Sequence, residues 1–119
     1  MKNVLNWFEL PVVDLDRAAR FYEQMLQGPV KREVIAGEPN GLLPYTQPGV
    51  GGALVLREGF APGAGALIYF NVTGDLDGAV VRAEQAGAKV IVPPTPPLPF
   101  GRIAVLVDTE GNRIGLHTD

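Results

Sequence analysis

The 119-residue chain has no cysteine and no serine, and it has a single histidine. Without cysteine there is no disulfide, no thiolate metal site and no thiol nucleophile. Without serine there is no Ser-His-Asp triad. Basic residues are few and scattered: ten Lys and Arg against thirteen Asp and Glu leave a formal net charge of −3. That balance gives no electrostatic reason to expect nucleic acid or an anionic membrane as a partner. No apolar run approaches the roughly 20 residues that a membrane-spanning helix needs. Met1-Lys2-Asn3 leads into an amphipathic strand rather than an apolar signal core. The expectation is a cytoplasmic protein. Gly49-Val50-Gly51-Gly52 lacks the lysine and the following helix of a phosphate loop.

What is present is an internal repeat, the feature to seek before any other. The segment Asp14-Leu15-Asp16-Arg17-Ala18-Ala19-Arg20-Phe21-Tyr22-Glu23-Gln24 aligns with Asp75-Leu76-Asp77-Gly78-Ala79-Val80-Val81-Arg82-Ala83-Glu84-Gln85, with six of eleven pairs identical. In each copy the first aspartate is placed to cap a helix, and the second suits the positive helix end. Leu15, Ala18, Ala19, Tyr22, Met25 and Leu26 recur at helical spacing, as do Leu76, Ala79, Val80, Ala83 and Ala86. Gly28 and Gly87 are expected to end the two helices.

Strands are expected over residues 4–12, 30–35 and 53–57 in the first half, with a turn-rich stretch at 36–44. The second half repeats the plan with strands at 66–72, 89–92, 102–108 and 113–118. The prolines between 93 and 99 form a stiff connector. The chain therefore divides into a first module of about residues 1–58, a linker of about 59–65 and a second module of about 66–119. Each module is βαβββ or nearly so, and mixed sheets with helices on one face define an α+β architecture.

Two motifs carry a resemblance. Pro11-Val12-Val13-Asp14-Leu15-Asp16-Arg17-Ala18 followed by Phe21-Tyr22-Glu23 resembles the opening of vicinal oxygen chelate domains. Asp108-Thr109-Glu110-Gly111-Asn112-Arg113-Ile114 resembles the hairpin before their last strand. The resemblance to this superfamily of glyoxalases, bleomycin-resistance proteins and dioxygenases spans the whole chain. It implies two tandem βαβββ modules forming a curved mixed sheet with a cleft, and a homodimer. It also implies several possible chemistries, so the site must decide function. Metal-binding members usually place histidine seven residues before the Asp-Leu pair, histidine at the matching place in the second half, and glutamate three residues after the Gly-Asn pair. Those positions here are Trp7, Leu67 and Gly115. None of the three is a metal ligand, so no metal and no other cofactor is expected.

Successive strand residues face opposite sides. If Trp7 faces the cleft, Leu5, Glu9 and Pro11 share its side while Phe8, Leu10 and Val12 pack on the helices. Likewise Leu67, Tyr69, Asn71, Arg113, Gly115 and His117 face the cleft, and Ile68, Phe70, Val72, Ile114 and Leu116 face the core. The candidate ligand-binding residues are Trp7, Tyr69, Asn71 and Arg113; the candidate acid–base pair is Glu9 and His117. Glu9 needs a partner such as Arg113 or an open cleft mouth. Arg57 and Arg102 read as exposed charges without a ligand. Three functions follow. The first is a metal-independent small-molecule binding protein, which takes an aromatic or cationic compound through aromatic faces and a carboxylate. The second is a small lyase- or isomerase-type enzyme using Glu9 and His117. The third is a dimeric accessory domain without a ligand.

Overall fold

A computed structural model describes residues 3–63 and 65–119; Met1 and Lys2 of the N-terminal stretch and Ala64 of the linker lie outside it. The described residues form β1 (Trp7–Pro11), α1 (Leu15–Leu26), β2 (Lys31–Ile35), β3 (Glu38–Leu42), β4 (Gly51–Val55), β5 (Ile68–Asn71), α2 (Leu76–Gln85), β6 (Lys89–Val92), β7 (Arg102–Val107) and β8 (Arg113–Thr118). The mixed sheet is divided into two, with strand orders β1-β4-β3-β2 and β5-β8-β7-β6. In each, the first strand runs parallel to the last, so Trp7 lies beside Gly51 and Tyr69 beside Gly115. The rest is antiparallel. This is the α+β plan of two βαβββ modules.

Three local expectations are corrected. The stretch 36–44 is not simply a turn, because Glu38–Leu42 is a full strand between β2 and β4. Its composition, Glu-Pro-Asn-Gly-Leu, hides it, since proline, asparagine and glycine are poor strand formers. Pro39 is tolerated because it lies beyond the residues that pair with β4, where a missing amide costs little. The left-handed residue that ends α1 is Gln27, at φ 57°, one position before Gly28. Asp14 accepts a hydrogen bond from the Arg17 amide at 3.0 Å, whereas Asp75 makes no cap bond. The Asp75 carboxylate instead takes Arg82 at 2.8 Å.

The core lies between the two helices and the inner faces of both sheets. Leu10, Val12, Leu54, Phe70, Val72, Leu106, Ile114 and Leu116 meet Phe21, Tyr22, Met25, Leu76, Val80 and Ala83 in one cluster. The Phe8 and Phe70 rings meet edge to face at 5.8 Å across the two modules. Polar bonds close the rest of the seam. The buried Glu110 carboxylate accepts from the Val13 and Asp14 amides, both at 2.8 Å, and from Arg17 Nε at 2.7 Å. Asp108 accepts from the Tyr22 hydroxyl at 2.6 Å and from the amides of Glu110 and Asn112. The Asn112 side chain donates to the Pro11 carbonyl at 2.8 Å. At the other end of α1, Arg82 donates to the Met25 carbonyl at 3.2 Å. The second module thus satisfies orphan groups at both ends of the first module's helix. Burial works to raise the Glu110 carboxyl, but the bonds from Arg17, Asp14 and Val13 outweigh it and hold the group below its usual range. Tyr22 is pushed well above the ordinary tyrosine value by burial first and by Asp108 second.

Candidate functional site

Alternation along β1 puts Phe8 and Leu10 into the core and Trp7 and Glu9 on the outer face of the first sheet. In the second sheet, Ile68, Phe70, Ile114 and Leu116 go inward, so Tyr69, Asn71, Arg113, Gly115 and His117 share the outer face. The outer faces carry three exposed aromatics, Trp7 at 40%, Tyr45 at 43% and Tyr69 at 44%, and Phe100 is exposed in the loop before β7. Two of these rings are seated on glycine. The Tyr45 ring lies against Gly51 and the Tyr69 ring against Gly115, so closely that a Cβ at either glycine would overlap the ring. Trp7 meets Tyr45 edge to face at 5.8 Å.

The acids of the first sheet are all ion-paired. Arg57 holds Glu9 at 3.1 Å and Glu38 at 2.8 Å, and Lys31 holds Glu33 at 3.1 Å. The partner of Glu9 is therefore Arg57 and not Arg113. Bonds from Glu38 and Glu9 raise the Arg57 pKa, and the Arg57 bond lowers that of Glu38. Phe60 stacks on the same guanidinium at 5.4 Å. His117 Nε2 lies 2.7 Å from the Phe100 carbonyl, at the end of the proline-rich connector. Asn71 uses its side-chain oxygen to accept from the Thr73 amide at 3.0 Å.

Of the cavities along the seam among the described residues, two contain candidate residues besides Asn71. One, of about 720 Å³, lies between Phe8, Leu43, Pro44, Ile68 and Phe70 and has Tyr69 and Asn71 on its wall. The other, of about 480 Å³, includes Glu9, Phe60, Ile68 and Arg113. The candidate residues are thus divided within one chain. Tyr69 and Asn71 line one cavity and Glu9 and Arg113 the other, while Trp7 and His117 stand on the open sheet faces.

Arg57, Glu38 and Tyr45 were missed from sequence. Arg57 lies two residues past Val55, so strand parity carried from β4 puts it on the same face as Glu9, although the residue beside Glu9 is Ala53. Glu38 lies in the stretch 36–44, whose composition signals a turn and so carries no strand parity. Nothing in the sequence singles out Tyr45. A metal of the family's kind does not fit. Among the described residues no three His, Cys, Asp or Glu side chains come together. At Gly115 the Tyr69 ring also fills the space a ligand side chain would need.

The comparisons agree on the fold. The profile of the Glyoxalase/Bleomycin resistance protein/Dioxygenase superfamily matches residues 4–116. No curated protein sequence matches. Among solved structures, a glyoxalase/bleomycin resistance protein from Albidiferax ferrireducens T118 is 17% identical with a TM-score of 0.77, covering 98% of this chain and 99% of its own. TnmS3, an antibiotic binding protein from Streptomyces sp. CB03234, is 26% identical with a TM-score of 0.68, covering 98% and 95%. The genomically encoded fosfomycin resistance protein FosX of Listeria monocytogenes is 18% identical with a TM-score of 0.70, covering 100% and 95%. With two βαβββ modules in the expected order and a profile match over nearly its whole length, the chain belongs to the Glyoxalase/Bleomycin resistance protein/Dioxygenase superfamily.

Proposed function

We propose that this chain is a metal-independent small-molecule binding protein whose ligand lies against the outer sheet faces. The observation that carries the reading is the set of exposed aromatic rings seated on glycine strands, with polar groups beside them. Large apolar groups are normally buried, and aromatic platforms flanked by a few polar groups suit a small organic ligand. Similarity to an antibiotic-binding protein supports the same class. Trp7, Leu67 and Gly115 at the family's ligand positions support metal independence. The acid–base reading draws less support: the Glu9 carboxylate is engaged by Arg57, and Glu9 and His117 do not line one cavity.

We further propose a homodimer in which the partner's sheet closes over these open faces. The support is that the chain's own two modules are joined through their helices and inner faces, leaving aromatic outer faces uncovered.

A thermal-shift screen of aromatic compounds tests the function. The expected result is one or more compounds that raise the melting temperature by several degrees and lose that effect in Tyr69→Ala. Chemical conversion of a hit, abolished by Glu9→Gln, would move the assignment to an enzyme. A screen with no hits would move it to an accessory domain.

A further inference from the structure

We infer that the outer face of the second sheet selects an organic anion, an aromatic carboxylate of one or two rings. This rests on the small-molecule reading above and goes on to name the ligand's charge. The strands β5 to β8 contain no acidic residue, whereas β1, β2 and β3 contribute Glu9, Glu33 and Glu38. On the first sheet each of these acids is ion-paired, Glu9 and Glu38 with the same Arg57 and Glu33 with Lys31. On the second sheet two cations face outward. Arg113 precedes the buried Ile114, and Lys89 precedes Val90, which packs on the core. Arg102, the remaining strand cation, turns to the helix side and pairs with Asp77 at 3.1 Å. Among the described residues neither Arg113 nor Lys89 has a carboxylate within ion-pairing distance. In a chain of net charge −3 this face is locally positive.

Register places the groups usefully. Lys89, Val107 and Arg113 lie side by side across three strands. The two cations therefore flank an apolar residue at about 10 Å, two strand spacings. One row further on, Val105 lies beside Gly115, on which the Tyr69 ring is seated. The step from Arg113 to Gly115 along a strand is about 7 Å, roughly the length of a ring bearing a carboxylate. An aromatic acid can thus stack on Tyr69 with its charge at Arg113, where planar guanidinium matches carboxylate. Glu9 lines the same seam cavity as Arg113 but is held by Arg57, which leaves Arg113 without an ion pair among the described residues.

Calorimetric titration of the full chain with three isosteric probes tests this: 2-naphthoate, 2-naphthamide and 2-naphthamidine. The expected order is naphthoate first, with a preference of at least about tenfold over naphthamidine, as a charge-assisted pair gives. Added salt should narrow that preference, and Arg113→Gln should abolish it. Arg113 is exposed, so the variant leaves the core intact. Equal or tighter binding of naphthamidine overturns the inference, as does a preference that survives in the Arg113→Gln, Lys89→Gln double variant. Naphthamide bound as well as naphthoate overturns the anion assignment but leaves a small-molecule site. Failure of all three probes, with no hit in the thermal-shift screen, overturns both.

Discussion

Glu9 and Arg57 meet at 3.1 Å across β1 and the end of β4, and the same guanidinium holds Glu38 at 2.8 Å. A free carboxylate beside exposed tryptophan would attract a cation; this one is already answered. Arg57→Gln should therefore turn Glu9 into the group that sequence reading took it for. In that variant, affinity for an aromatic cation such as 2-naphthamidine should rise. Trp7, the sole tryptophan, supplies the fluorescence readout. Unchanged cation affinity would show that Glu9 is silenced by something other than Arg57.

Tyr69 and Gly115 form a second coupled pair. A methyl at Gly115 overlaps the ring, so Gly115→Ala should destabilise by about 1–3 kcal/mol, the usual cost of overpacking. In a Tyr69→Ala background the same change should be neutral or stabilising, because glycine is a poor strand residue. Urea denaturation of the four proteins gives the coupling directly. Additive effects would mean that the ring is not seated on the strand.

Acid should loosen the module seam through Glu110. Its folded pKa is depressed, so its stabilisation is complete above the unfolded carboxylate value of about 4.3. That stabilisation is lost as pH falls through the lower folded value. The melting temperature should hold from neutral to about pH 5 and fall below that. Glu110→Gln should lower stability at neutral pH by about 2–3 kcal/mol, the scale of bonds to a buried charged acceptor, and should flatten the acid limb. A variant with the wild-type acid slope would assign that slope to other carboxylates. Asp16, Glu38 and Asp77 are also held low, by Arg32, Arg57 and Arg102, but they are exposed and contribute less.

The homodimer is checked by light scattering at micromolar concentration, which should give twice the 12.7 kDa chain mass. A stable monomer mass would require both open faces to function uncovered.

Much of the fold was legible because its signals are local. The repeated Asp-Leu-Asp start, the helical spacing of Leu15 to Leu26 and the alternation of β8 are contained in short windows. β3 was not legible, since Pro39, Asn40 and Gly41 owe their strand conformation to neighbours on both sides. Glu110 and Tyr22 were visible only as parts of a family motif and a helix face. Their roles depend on contacts 96 and 86 residues away in the chain. At the site, parity separated Trp7 from Phe8 and Tyr69 from Phe70. It gives the face of Arg57 but not the bond to Glu9, which spans 48 residues and changes what Glu9 can bind.

The most direct test of the small-molecule reading is to map bound ligand by amide and indole chemical-shift changes, using any aromatic compound that raises the melting temperature. The account predicts that the largest changes fall on the Trp7 indole and on Tyr69, Arg113, Gly115 and His117. Changes confined to Leu26, Gln27, Gly28 and Leu43, at the helix end of the larger seam cavity, would contradict it.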